Sequence, residues 1–146
     1  MLTKNGNRFG GVVTGPSAPS CHPAAMEPQI HLIDDTWIDC PVRTVSARVA
    51  NPDNWARWWP GLELMVTCDR GERGIIWTAG GPYRGSVEIW LEPVSGGVTL
   101  HHFLRLDPAS GGRMSPRSAA RTTRKFAWHA KRVFWALKDE LEALDR

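Results

Sequence analysis

His102 sits in an alternating run, Val98 to Asp107, on the same side as Leu100 and Leu104. An imidazole on an otherwise apolar strand face can orient a ligand hydroxyl or carbonyl. It can also act as a general base when its pKa lies near neutrality. The simpler reading is a core histidine held by one hydrogen bond. Asp34 shares a face with Leu32 and Thr36 in a second alternating run, and a carboxylate buried there needs a partner. His102 and Asp34 are therefore the catalytic candidates, but no serine or cysteine nucleophile pattern accompanies them. His101 points to the opposite face, so the two adjacent histidines cannot share a metal through strand geometry. His22, His31 and His129 have no ligand-like spacing, and no metal is expected. The glycine pairs suit hairpin turns and not a dinucleotide loop, so no cofactor is expected.

The elements that would position these groups can be read from periodicity. Ile30 to Asp39 alternates as a strand. Pro41 suits the first turn of a short helix carrying Val42, Val45 and Val49. Asn51-Pro52 sets a second short helix running to Trp59, and Pro60-Gly61 stops it. Leu62, Leu64, Val66 and Cys68 alternate in a second strand. Short turns then separate strands over Ile75–Ala79, Arg84–Val94 and Val98–Asp107, which implies antiparallel pairing. Asp107 to Arg117 reads as loop. From about Ala119, the residues Phe126, Ala130, Val133, Phe134, Leu137, Leu141 and Leu144 recur at helical spacing. That helix of about 25 residues would span about 37 Å, enough to cross a small sheet.

Residues 1–27 are rich in Gly, Pro, Ser and Ala without periodicity, and read as a disordered tail. Met26 lies just before the first patterned segment and is the expected biological start, residues 1–25 being a gene-model extension. An intact mass that included residues 1–25 would refute this. Residues 28–146 then form one domain, consistent with a chain of 146 residues, 42% hydrophobic and 23% charged. Cys21, Cys40 and Cys68 form no CxxC pair, which fits a reducing compartment and a cytoplasmic protein. No apolar run approaches a membrane span, so no integral membrane association is expected. Every Lys or Arg side chain between Arg113 and Arg132 lacks an acidic residue among its sequence neighbours there, whereas Asp139, Glu140, Glu142 and Asp145 follow. That acidic end argues against nucleic acid as a partner.

Several local patterns resemble the START-like, or SRPBCC, superfamily. Ile38-Asp39-Cys40-Pro41 followed by Val42 and Val45 is similar to its opening strand-to-helix step. Asn51-Pro52 with the Trp55–Trp59 cluster and Pro60 resembles its second helix. Leu91-Glu92-Pro93-Val94, Gly96-Gly97 and Val98 to Pro108 are similar to its last hairpin, and Ala136 to Glu142 fit its closing helix. The subgroup most resembled is labelled polyketide cyclase/dehydrase and lipid transport. The resemblance implies an α+β helix-grip fold: a curved antiparallel sheet of about five or six strands, two short helices and one long C-terminal helix. It also implies that the first and last strands are neighbours, which would let Asp34 pair with His102.

A sheet gripped by a helix leaves a gap that apolar side chains can line. Alternation places Val87, Ile89 and Leu91 inward, opposite Leu100, His102 and Leu104. The expected lining is Trp58, Trp77, Val87, Ile89, Leu100, His102, Leu104, Phe126, Ala130 and Phe134. The partner expected there is a hydrophobic small molecule: a lipid, polyketide or aromatic metabolite. The same set could equally pack as a core. The alternatives are a polyketide cyclase/dehydrase-like enzyme using His102 and Asp34, or a non-catalytic interaction module. For the latter, Trp37, Trp90 and Phe103 share the outward face of neighbouring strands and would form a homodimer surface. Trp128 and Trp135 lie opposite the apolar stripe of the long helix, amid Arg124, Lys131 and Arg132. Such a mixture marks either ordinary helix–loop packing, cation–π stacking or a membrane-interface helix.

Overall fold

A computed structural model describes residues 27–145. The tail expected over residues 1–27, Glu27 apart, and the start at Met26 lie outside them. The chain runs β1 (Ile30–Ile38), α1 (Val42–Ala50), a 3-10 turn (Pro52–Asn54), α2 (Trp55–Trp58) and β2 (Glu63–Asp69). After a second 3-10 turn (Gly71–Arg73) come β3 (Gly74–Gly80), β4 (Tyr83–Val94), β5 (Gly97–Pro108) and α3 (Pro116–Leu144). The five strands form one antiparallel sheet in the order β1-β5-β4-β3-β2. The first strand thus pairs with the last, as the resemblance implied, and the architecture is the α+β helix grip.

Local chemistry explains most boundaries. Val94 pairs with Gly97, leaving Ser95 (φ 52°) and Gly96 (φ 79°) as a two-residue turn with both central residues left-handed, the geometry that matches strand twist. Asn51 caps the 3-10 turn through Oδ1, which accepts from the Asp53 backbone N–H at 3.0 Å. Pro41 is itself the N-cap of α1, with extended ψ, rather than a first-turn residue. The Ser115 hydroxyl accepts from the Ser118 N–H at 3.1 Å with Pro116 behind it, so α3 begins a turn earlier than its apolar pattern suggested. Its 29 residues span about 43 Å. The expected stripe ends at Leu141, because Leu144 is exposed. Strand β2 is an edge strand with a register shift between Val66 and Cys68. The alternation expected there breaks at this bulge: Val66, on the expected inward set, is exposed, as is Met65 on the outward set.

Helix α3 runs beside β1 in the same direction. Gln29 Oε1 accepts from the Met114 N–H at 2.6 Å, Lys131 Nζ lies 2.6 Å from Asp34 Oδ1, and Lys138 Nζ donates to the Trp37 carbonyl at 2.8 Å. At the far end, Glu142 Oε1 accepts from the Asp39 N–H at 3.0 Å and from Lys138. These polar ties hold the helix so that Ala130, Phe134, Leu137 and Leu141 bury against the inner face of the sheet.

Candidate functional site

Strand register brings the expected residues into rows on the inner face. Ile75, Ile89, His102 and Asp34 form one row; Trp77, Val87, Leu104 and Leu32 form the next; Leu91, Leu100 and Thr36 form a third. All but Asp34 and Leu32 are buried. From above, α3 adds Ala130 and Phe134, and α2 adds Trp58. Phe126 lies apart from this centre and packs edge-on against Tyr83, ring centroids 5.8 Å apart.

Indoles occupy the middle of the layer. Trp59, just past the end of α2, has φ −130° and ψ 70°, a departure from the helical path. Its ring lies 5.0 Å from Trp77, 5.7 Å from Trp58 and 6.4 Å from Phe134, while Trp58 lies 5.5 Å from Phe134. Adjacent side chains on a helix would normally diverge, so nothing in the spacing said that both Trp58 and Trp59 would be buried. The residue that sequence reasoning missed is therefore Trp59, and it decides the state of His102.

Trp59 Nε1 donates to His102 Nε2 at 3.0 Å, which leaves the imidazole proton on Nδ1. Burial lowers the His102 pKa to about 3, so the ring is neutral at physiological pH. Asp34 lies directly opposite His102 across the β1–β5 pair, but its Oδ1 is engaged by Lys131. His102 Nδ1 and Asp34 Oδ2 are both buried and have no hydrogen-bond partner among the described residues; the same holds for Thr36 Oγ1 and Trp77 Nε1. Four such atoms in neighbouring rows give an apolar layer a polar seam, and each is costly to leave unsatisfied. The arrangement can supply hydrogen bonds to a guest. His102 does not present a free basic nitrogen, because Nε2 already accepts from Trp59.

A cleft of about 320 Å³ opens beside this layer, lined by Arg57, Trp58, His129, Arg132, Val133, Ala136, Leu137 and Glu140. Trp58 forms the link between cleft and interior. His129 Nε2 donates to the Arg57 carbonyl at 2.9 Å, tying α3 to α2 across one end of the opening.

The outer face carries a second cluster. His101 is held between Asp35 (Nδ1 to Oδ1, 2.6 Å) and Glu92 (Nε2 to Oε2, 2.9 Å), and its ring stacks on Trp90 at 4.5 Å. Burial opposes its charge, but the hydrogen bonds to Glu92 and Asp35 and their charge hold its pKa above the ordinary value. Trp37 is partly covered by Lys138, 5.2 Å from its ring, and Phe103 by Arg105 at 5.5 Å. Trp37, Trp90 and Phe103 thus share one face, each partly screened by a charged or polar neighbour. Among the described residues no group of three or more His, Cys, Asp or Glu side chains is placed to hold a metal, and no helix is long and apolar enough to cross a membrane.

No family model matches the chain, and no match is found among curated proteins. Solved structures are similar in shape at low identity. The protein DR_A0006 from Deinococcus radiodurans gives a TM-score of 0.57 at 15% identity, over 77% of this chain and 97% of its own. The Aha1 dimer from Colwellia psychrerythraea gives 0.52 at 14% identity, over 77% of this chain and 96% of that one. DynU16, a protein of the dynemicin biosynthetic locus, gives 0.51 at 16% identity, over 74% of this chain and 48% of its own. At such identities the likeness is one of fold.

Proposed function

We propose, from the START-like (SRPBCC) helix-grip fold that this chain has, that it binds a hydrophobic small molecule between the sheet and α3. The ligand class is a lipid, polyketide or aromatic metabolite, and the protein acts as a cytoplasmic carrier or sequestering module. The observation that carries this reading is the polar seam: His102 Nδ1, Asp34 Oδ2, Thr36 Oγ1 and Trp77 Nε1 are unsatisfied within an otherwise apolar layer. A core evolved only for packing gains nothing from four such atoms, whereas a guest can engage them, a carbonyl accepting from His102 Nδ1 or Trp77 Nε1 and a hydroxyl donating to Asp34 Oδ2. Access is over Trp58 from the α2–α3 cleft. Because Trp58, Trp59 and Phe134 fill the centre, the guest takes the place of the Trp58 or Phe134 ring. The remaining lining is Trp77, Val87, Ile89, Leu100, Leu104, Ala130 and, at the far end, Phe126.

Binding is favoured over turnover. A cyclase or dehydratase mechanism needs His102 to take a proton, but burial holds its pKa at about 3 and its acceptor Nε2 already takes the Trp59 N–H, which makes it a poor base. His102 instead donates from Nδ1. Native mass spectrometry of freshly purified protein tests the reading: an adduct that disappears in a Trp58→Arg variant supports it. A bare mass, with no thermal shift from any member of a hydrophobic library, overturns it.

A second reading concerns the outer face, where Ile33, 58% exposed, pairs across the strands with Phe103. We propose a homodimer through Trp37, Trp90 and Phe103. Equilibrium sedimentation that gives a monomer at high concentration would remove it.

A further inference from the structure

The outer face of α3 carries an arrangement that neither the ligand site nor the sheet explains. Opposite the buried Ala130–Leu141 stripe, Trp128 is 71% exposed and Trp135 is 59% exposed. Loop packing, one of the readings open from the sequence, covers neither among the described residues. The four helix neighbours of Trp128, at i−4, i−3, i+3 and i+4, are Arg124, Lys125, Lys131 and Arg132. Lys131 is paired with Asp34 and lies 5.9 Å from the Trp135 ring. Arg121, Arg124, Lys125 and Arg132 make no salt bridge among the described residues. With Trp128 and His129 they line a shallow concavity of about 360 Å³.

Unneutralised cations packed around a bare indole repel one another and expose apolar area to water. Both costs disappear against a surface that is anionic outside and apolar a few ångströms deeper. We infer that this face docks on an anionic lipid bilayer, with Trp128 and Trp135 seated at headgroup level and Arg121, Arg124, Lys125 and Arg132 against lipid phosphates. The basic zone from Arg121 to Arg132 covers only about 16 Å of helix before Asp139 reverses the charge. The two indoles project from one face of a single helix, which suits a plane. A nucleic acid would need aromatics spaced along a groove. His129 and Arg132 also line the α2–α3 cleft, so docking brings that opening beside the membrane.

The test is co-sedimentation of the full chain with phosphatidylcholine vesicles, with and without phosphatidylserine. Binding is expected only to the anionic vesicles, weakening as salt rises. Each of Arg124→Gln and Arg132→Gln should reduce the partition coefficient about fivefold, and Trp128→Ala should reduce it with no change in thermal unfolding. Equal binding to both vesicle types overturns the inference, and so does undiminished binding of a Trp128→Ala, Trp135→Ala double variant. Displacement from anionic vesicles by an equal charge of DNA would reassign the face to nucleic acid. None of these readouts depends on a ligand in the interior, so loss of either proposal leaves the other standing.

Discussion

His101 and His102 are adjacent in sequence, and the pleat sends them to opposite chemical fates. His101 is caught between Asp35 and Glu92 and favours its charged form. His102 is enclosed by Trp59 and Phe134 and resists protonation down to about pH 3. Unfolded, both would titrate near 6.5. The raised value at His101 contributes stability that is complete below about pH 6.5 and lost as pH rises through its folded value. The depressed value at His102 contributes stability that is complete above about pH 6.5 and drains away as pH falls toward 3. NMR titration should show the His101 ring with a midpoint above 6.5, lowered in Asp35→Asn and in Glu92→Gln. The His102 ring should not titrate before acid unfolding; a normal midpoint there would contradict its enclosure. Trp59→Phe keeps most of the ring but removes the N–H donated to His102. It should cost about 1–3 kcal/mol in denaturant unfolding and raise the His102 midpoint or broaden its signal.

At the scale of elements, the two pieces that define the grip are α3 and the β4–β5 hairpin. Phe134 reaches from α3 to Trp58, Trp59 and His102 at once. Phe134→Ala should cost about 3–5 kcal/mol, and the vacated volume should raise affinity for any apolar ligand if the guest sits there. Isothermal titration against the native-mass ligand would register both loss of stability and gain of binding. In the hairpin, Gly85 has φ 151°, and a Cβ built on it would lie 1.9 Å from the Arg105 carbonyl oxygen. Gly85→Ala should therefore shift the β4–β5 register or abolish soluble expression, a far larger effect than an exposed Gly96→Ala at the turn, where nothing stands within 4 Å. If Gly85→Ala matched wild-type denaturation, the close approach of these strands would be wrong.

Across the whole molecule, what the sequence disclosed was whatever repeats at short range. Alternation identified Val87, Ile89, Leu91, Leu100, His102 and Leu104 as one inward face, and 3.6-residue spacing identified Ala130, Phe134, Leu137 and Leu141. Asn51-Pro52 and Ser95-Gly96 carried their turn chemistry openly. Three-dimensional outcomes were hidden. The kink that buries Trp59 has no periodic trace, and the pairing of Asp34 with Lys131 depends on where α3 comes to rest. Likewise, the exposure of Trp128 and Trp135 depends on where the described loops run, and none of them returns to cover these rings. The neighbouring of β1 and β5, by contrast, came through resemblance of motif order, because no local pattern encodes which distant strands meet.

The placement of β1 beside β5 also has a temporal consequence. Asp35 and His101 touch across 66 positions of chain, so a nascent polypeptide carries its first strand with an open edge until nearly all the rest has emerged. The β3–β4–β5 meander, closed by tight turns, can assemble early; β1 must be captured late, and α3, which follows β5 in the chain, seals it later still. High contact order of this kind slows folding. Protection against deuterium exchange should accordingly arise first along β4 and last along β1, making that strand the segment most in need of a chaperone.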